Sequence, residues 1–432
     1  MKTVLTGFVD IKKQLSRSAI LKIANAFCLF FIVRLAIEMT DTKVYGQWLT
    51  MLSILTWFSC IEVGFSRAIR NRITKLLEDK SLSMARRLTH KAMATEASVF
   101  AIIIVSGGLG YLVNSKMNIA PEMQSSLGLL LVFGVFYFTQ FVLQMSNTVA
   151  LANHRAEWPV LITFIQNILI IAGLSVAILN GTSGLFSLGL IFSIAALLSI
   201  SFGSVSYFRN VFNDADENSD VLPTSSLLEE HKSDIYRFGI IQFFVLIIYT
   251  TDHIILQYFI SSEAVTEYST AFKYFNLLNV IFNLILIPFW SAFAKARLEK
   301  NLEWERKALK TLVTLFAALT IGGAFMVLVS NPFYDLWLGG QVHVANSLSL
   351  FMFVSALLTM WNFLFTYYLG GIGQVKAYAP FVILSGVINL PLSIVMVHYF
   401  QGTGVILSTC ISLLPQSVFL PIIARKHLKL AI

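Results

Sequence analysis

Asp252 and Lys273 are ionisable residues set inside long apolar runs, and chemistry is to be sought there first. Asp252 lies within the run Phe238–Ile260 and Lys273 within Thr266–Trp290, and the polar turn Ser261-Ser262-Glu263 joins the two runs. Asp252 precedes Ile260 by eight residues and Lys273 follows Thr266 by seven. If both runs are helical, the two charges sit roughly 10–12 Å from the same end. An acid and a base at equal depth on neighbouring helices can face each other. A charge in hydrocarbon costs about 2.5–3.5 kcal/mol on the mildest scale, so such residues turn toward a bundle interior or a watery cavity. Two readings follow: an ion pair that fixes two helices, and a site for a charged cargo in transport.

Other polar residues fall on helical faces within the apolar runs. Lys273 shares its face with Asn276 and Asn283, and Asp252 shares its face with Gln242 and Tyr249. Gln140, Gln144 and Asn147 form a third stripe; Asn25, Arg34 and Glu38 form a fourth. Any single Asn or Gln can be glue between helices, worth about 0.6 kcal/mol per hydrogen bond. Four stripes, three of them charged, point instead to a wet central cavity. The candidate cavity residues are Arg34, Lys273, Asp252, Asn276, Gln144, Asn147, Asn25 and Tyr249, with Asp252 and Glu38 as candidates for coupling to an ion. Arg34 lies five residues before Met39, at the expected depth of Asp252 and Lys273. It also has two plainer readings, snorkelling to the surface and a private pair with Glu38. Glu62 and Glu96 read as interfacial, and His253 and His398 as bystanders.

These residues must be held by membrane helices. The 432 residues are 56% hydrophobic and 12% charged, with mean hydropathy +0.75, whereas a soluble domain carries about 25% charged residues. Apolar runs of about twenty residues, each long enough to span a bilayer, recur twelve times: near 18–39, 44–65, 93–114, 125–150, 159–180, 184–208, 238–260, 266–290, 311–331, 347–370, 378–399 and 404–424. With the N-terminus inside, 27 of the 31 Lys and Arg residues fall in or beside inner segments. Two, Lys43 and Lys116, are outside, and Arg34 and Lys273 are within spans. That bias predicts both termini in the cytoplasm and argues against nucleic acid as a partner. The stretch Arg67–Lys91 intersperses bases with Ile69, Ile73, Leu76 and Leu77, a pattern expected of a partly interfacial helix near anionic lipid. Cys28, Cys60 and Cys410 all lie in apolar runs and read as small core residues. Pro288, Pro391, Pro415 and Pro421 lie within spans of the second half and are expected to kink them. No Walker A sequence and no metal-ligand cluster is present, so ATP hydrolysis by this chain is not expected. The outer loops are too short for an enzyme working on sugar polymers at that surface.

The chain also repeats. Asn153-His154-Arg155-Ala156 and Gln374-Val375-Lys376-Ala377 are 221 residues apart, as are Pro159 and Pro380, and Asn180-Gly181-Thr182 and Gln401-Gly402-Thr403. The expected architecture is an all-α integral membrane protein of twelve transmembrane helices in two six-helix lobes, residues 1–209 and 237–432. A cytoplasmic acidic linker, 210–236, joins them. An even number of spans per half makes the repeat parallel, and a binding site is expected between the lobes.

On particular residues the chain resembles bacterial polysaccharide flippases of the Wzx type. These are exporters of O-antigen and capsule units in the multidrug/oligosaccharidyl-lipid/polysaccharide superfamily. The resemblance is carried by Val44-Tyr45-Gly46-Gln47-Trp48, Glu62-Val63-Gly64-Phe65, Thr251-Asp252, Glu267-Tyr268-Ser269 and Gly402-Thr403-Gly404. It implies a V-shaped, non-enzymatic transporter in the bacterial inner membrane that works by alternating access. The implied cargo is an undecaprenyl-pyrophosphate-linked oligosaccharide, moved from the cytoplasmic to the periplasmic leaflet. Membrane lipids, a polysaccharide polymerase and a chain-length regulator are the implied partners, with H+ or Na+ as the coupling ion and no other cofactor. The rival within the superfamily is a multidrug or cation antiporter; a membrane polysaccharide polymerase is a more distant one. Arg34 and Lys273 are placed in the cavity by depth and charge and not by the resemblance.

Overall fold

The structure, a computed structural model, describes residues 2–117, 124–213 and 232–430. Residues 214–231, the body of the expected acidic linker, lie outside the described residues. The described residues form fourteen helices and no strand: α1 (Lys2–Met39), α2 (Thr42–Trp57), α3 (Ser59–Glu78), α4 (Leu82–Met117), α5 (Gln124–Leu143), α6 (Met145–Ala152), α7 (Glu157–Leu179), α8 (Leu185–Phe212), α9 (Lys232–Phe259), α10 (Ser262–Leu298), α11 (Leu302–Leu328), α12 (Ser330–Leu338), α13 (Asn346–Gly371) and α14 (Val375–Leu430). Helices are what lipid demands, because they satisfy their backbone groups internally. Among the described residues ten helices are long and apolar enough to cross a membrane. The pair α2 and α3, bent by 41° at Phe58, makes up to eleven.

The last of the ten is a hairpin. Gln401, in the middle of α14, has φ 51° and ψ −135°, outside the helical region. In an unbroken helix residues 396 and 404 would be about 12 Å apart along the axis. Here a Cβ built on Gly404 would lie 2.2 Å from the Met396 carbonyl oxygen. Asn389 donates to Thr409 Oγ1 (3.1 Å) and Ser412 Oγ (3.3 Å), and Gln416 donates to Ser385 Oγ (2.8 Å). Residues equidistant from Gln401 thus face each other, and the two arms of α14 run antiparallel, zipped by buried hydroxyls and amides. The helix continues through Pro391 and Pro415; its one non-helical residue is Gln401, not a proline.

The turns recur at a fixed spacing. Asp41 caps α2 by accepting from the Val44 N–H, and Ser261, 220 residues on, caps α10 by accepting from the Ala264 N–H. The turn after α3 places Lys80 at φ 56°, with the Asp79, Lys80 and Ser81 N–H groups bonded to the Lys75, Leu77 and Leu76 carbonyls. The turn after α10 places Lys300 at φ 54°, with Glu299, Lys300 and Asn301 bonded to Lys295, Arg297 and Ala296 in the same way. Gly181 and Gln401, also 220 apart, both have positive φ. The turn at Asn153-His154-Arg155 has the bonding pattern of Ile372-Gly373-Gln374, at a spacing of 219. The 221-residue spacing read from side-chain matches is therefore off by one or two residues. Backbone geometry sets the equivalence, and the positive-φ position is filled by Gly181 in one turn and by Gln401 in the other.

By compactness the chain divides into two units: residues 1–44 with 54–242, and residues 45–53 with 243–432. In the first unit α1 packs along α7, and α5 packs against α4 and α8. Ile69, Ile73 and Leu76 of α3 are buried with Ala85, Leu88 and Ala92 of α4 and Met145 and Val149 of α6. The expected interfacial helix at Arg67–Lys91 is thus corrected. The stretch is the end of α3, a tight turn and the start of α4, and its apolar face is core. In the second unit α13 packs against α10 and α14, and α10 against α11. The central part of α2, residues 45–53, belongs to this unit, where Gly46 makes the closest approach: a Cβ there would lie 1.8 Å from the Ser262 carbonyl oxygen.

Two substitutions test these backbone assignments by thermal unfolding in detergent. Gly46→Ala should lower stability by about 1–3 kcal/mol, the usual cost of overpacking. Gln401→Gly should raise it by about 1 kcal/mol, since glycine relieves a left-handed backbone that glutamine adopts at a cost.

Candidate functional site

The second unit holds several groups of buried and half-buried polar side chains. Asp252 and His253 lie on α9, Tyr268, Ser269 and Lys273 on α10, and Tyr45, Thr50 and Ser53 on the α2 segment. The α9–α10 hairpin turns at Ile260 and Ser261, which brings Asp252 opposite Tyr268. Asp252 is buried, and its Oδ2 accepts a hydrogen bond from the Tyr268 hydroxyl; its Oδ1 is buried with no partner among the described residues. The His253 ring stands edge-on to the Tyr268 ring with centroids 6.1 Å apart, and its Nδ1 is 2.7 Å from Ser53 Oγ. Gln257, one turn along α9, accepts from Thr50 Oγ1 at 3.4 Å.

Lys273 has different partners. Its Nζ donates to the Tyr45 hydroxyl (3.1 Å) and to Ser269 Oγ. Among the described residues no ion pair joins it to Asp252. The pair expected from equal depth is thereby corrected, and the reason is angular. Tyr268 and Lys273 are five residues apart, so their side chains leave α10 about 140° apart around its axis. Tyr268 faces α9, whereas Lys273 and Ser269, four apart, share the face toward α2. The outcome is an amine that donates to two neutral hydroxyls and is paired with no carboxylate among the described residues.

The remaining candidates divide between the units. In the second, Tyr249 is half-buried beside Thr359, and Asn276 accepts from Asn279 Nδ2 at 3.4 Å. In the first, Asn25 is interhelical glue. Its Nδ2 donates to the Val160 carbonyl (3.2 Å) and its Oδ1 accepts from Asn167 Nδ2 (2.9 Å), tying α1 to α7. Gln144 sits at the break between α5 and α6, and Asn147, half-buried, has an Oδ1 without a partner, as has Gln140 at Oε1. Arg34 and Glu38 are both exposed on α1 and form no ion pair with each other, so the private pair is excluded. Glu62 and Glu96, expected at an interface, are buried. His253, expected to be a bystander, sits inside the cluster. Sequence reasoning missed Tyr45, Ser53 and Tyr268 as site residues. Tyr45 and Tyr268 lay within stretches already singled out, so both were findable. Ser53 carried no signal. Among the described residues no group of three or more His, Cys, Asp or Glu side chains is placed to hold a metal ion.

Comparison with known proteins gives the fold a context. No family model matches the chain. Over 304 residues it is 21% identical to a Salmonella typhi protein named "Putative O-antigen transporter", a match covering 68% of this chain and 66% of that protein's length. The fold is similar to that of the inward-facing conformation of a multidrug resistance MATE family transporter of the MOP superfamily, with a TM-score of 0.72 and 15% identity. That match covers 96% of this chain and 98% of the other. An outward-facing conformation described in the same terms gives 0.68 at 15% identity, covering 98% and 96%. The Vibrio cholerae MATE transporter VcmN gives 0.68 at 15%, covering 98% of each chain. The chain therefore has a fold similar to that of MATE transporters.

If Asp252 and Lys273 have separate partners, exchanging their charges by combining Asp252→Lys with Lys273→Asp should recover nothing of what each single change loses. Tyr268→Phe should destabilise the protein by about 1–3 kcal/mol, because it removes the one donor to a buried carboxyl group. Yield of folded protein and its unfolding midpoint measure both.

Proposed function

We propose that this chain is an alternating-access transporter of the MOP superfamily, in a bacterial inner membrane with both termini cytoplasmic. One observation carries the reading: matches spanning 96% or more of the chain to transporters of that superfamily described as inward-facing and as outward-facing. A count of twelve spans is supported by adding the bent α2–α3 pair and the second arm of α14 to the ten helices. The turns repeating at 219–220 residues support two parallel six-span repeats.

For the cargo we propose a lipid-linked oligosaccharide of the O-antigen or capsule kind, on an undecaprenyl pyrophosphate carrier. Two features support this. The relative from Salmonella typhi is named for O-antigen. Lys273 is a half-buried basic residue held by hydroxyls and by no carboxylate among the described residues, which suits a phosphate or acidic sugar better than an organic cation. Arg34, exposed on α1, is a second candidate cation. Asp252, whose Oδ1 has no partner among the described residues, would take the coupling ion, and Glu38 is the other candidate. Amides at Asn276, Gln144 and Asn147 suit hydroxyl-rich cargo, and a polymerase and chain-length regulator would act downstream.

The second reading is a multidrug or cation antiporter, and the solved structures speak for it more directly, since those compared here are described as multidrug resistance or MATE transporters. Lys273 separates the two. In cells that depend on this chain, Lys273→Ala and Arg34→Ala should each cut surface polysaccharide by about tenfold or more, a loss of some 1.4 kcal/mol in cargo handling, at unchanged protein level. Susceptibility to cationic drugs should not move. Normal polysaccharide with raised drug susceptibility on deleting the gene would establish the antiporter instead.

A further inference from the structure

The first unit contains an acidic site that the transport reading does not use. Glu62, Ser66, Ile69 and Ile73 recur at helical spacing along one face of α3, and Ala85, Leu88, Ala92 and Glu96 along one face of α4. The two helices run antiparallel from the tight turn at residues 79–81. Ile69 and Ile73 pack with Ala85, Leu88 and Ala92, and the next level away from the turn brings Glu62 and Ser66 opposite Glu96. Glu62 retains 8% exposure and Glu96 none.

The two carboxyl groups are treated differently. The Ser66 hydroxyl donates to Glu62 Oε1, and the exposed Arg67 acts on Glu62 through space. Both oxygens of Glu96 are buried without any partner among the described residues, and the described charge acting on it is Glu62. Aromatic side chains and backbone lie beside the pair. One turn beyond Glu96, Phe100 stacks on Phe138 at 4.8 Å and lies 5.9 Å from Phe141, both on α5. The start of α9 meets α3 through backbone, at Ile235 against Gly64 and at Gly239 against Cys60. The described cation nearby is thus Arg67, which is on the Glu62 side. An ionised carboxylate with no donor and no counter-ion is very costly away from water, and a second negative charge beside it adds to that cost. The group missing from Glu96 is a single positive charge. Two carboxyl groups and one hydroxyl are too few oxygens to wrap a metal ion, whereas a proton needs one oxygen.

We propose that Glu62 and Glu96 form a proton-binding pair in the first unit, in which Glu96 takes up and releases one proton and the neighbouring Glu62 carboxylate holds it there. The uptake is a simple association, Glu96 carboxylate plus a proton from water giving the neutral acid. The site is separate from Asp252 and does not depend on what the chain transports. Infrared difference spectroscopy on the purified full-length protein in lipid discs reads it directly, through the carbonyl stretch of protonated carboxyl groups as pH is stepped. The wild type should show a buried protonated-carboxyl band that titrates. Glu96→Gln should lose it, and in Glu62→Gln its midpoint should move toward acid by about one pH unit or more, because the charge holding the proton is gone. A band that persists at every pH at which the protein stays folded would make Glu96 a permanently neutral packing residue and overturn the proposal. No such band in the wild type, or the same titration in Glu96→Gln, would overturn it too. The wild-type titration decides between exchange and permanent neutrality even if a variant fails to fold.

Discussion

Charge removed from water is the constraint on which this structure turns. In a membrane helix bundle apolar surface is cheap to leave facing lipid, so hydrophobicity does not decide which helices meet. Polar groups do, because each needs a partner. Asn25 is answered by Asn167 and the Val160 carbonyl, and this fixes α1 on α7. Asn389 and Gln416 are answered by Thr409, Ser412 and Ser385, and this closes the α14 hairpin. Arg297 pairs with Glu305 at 2.7 Å while Tyr368 donates to the same carboxylate at 3.0 Å, and this joins α10, α11 and α13. Asp252 and Lys273 follow the same rule with a difference: they are answered by hydroxyls and not by each other.

That difference bears on function. An Asp–Lys pair would be electrically complete, and an incoming ligand would have to break it at several kcal/mol. A lysine held by Tyr45 and Ser269 has its geometry fixed without a carboxylate partner among the described residues. An aspartate held by Tyr268 keeps one oxygen open. The α2 segment is essential to this arrangement, since it supplies Tyr45 to Lys273 and Ser53 to His253, and it reaches them because Gly46 lets its backbone meet the hairpin at Ser262.

How much of this could be read in the chain depends on which dimension was asked for. Position along a helix axis is legible, because apolar runs and tight-turn residues count it out. Ten of the described helices are long and apolar enough to span, the expected span 44–65 is divided between two bent helices, and Asp252 and Lys273 do sit on facing arms of one hairpin. Azimuth is less legible, since a single residue of uncertainty rotates a side chain by about 100°. That is why Lys273 was matched to the wrong partner, and why Glu62 and Glu96 were placed at an interface when both point inward. The repeat illustrates the same limit. Matches such as Gly181 with Gly402 gave a spacing of 221, but the backbone repeats at 220 because Gln401, not glycine, occupies the left-handed position. Contacts between segments far apart in sequence were not legible at all. Nothing in residues 45–53 marks them as part of the second unit, and Ser53 is an ordinary small residue until His253 is seen beside it.

The two units handle buried acid by opposite means, and this is informative about what each acid can do. In the second unit Asp252 has a tyrosine donor on one oxygen, with His253 and Ser53 beside that tyrosine, so a charged and a neutral state can both be satisfied by small reorientations of neighbours. In the first unit Glu96 has no donor among the described residues, and the described charge acting on it has the same sign. Only a change in its own charge can settle it. An acid with adaptable neighbours suits a site that must accept varied occupants. An acid without them is tuned to a single occupant of minimal size. Buried carboxyl groups in one chain therefore need not share a role, and counting them, as a sequence invites one to do, conceals the distinction that their donors make plain.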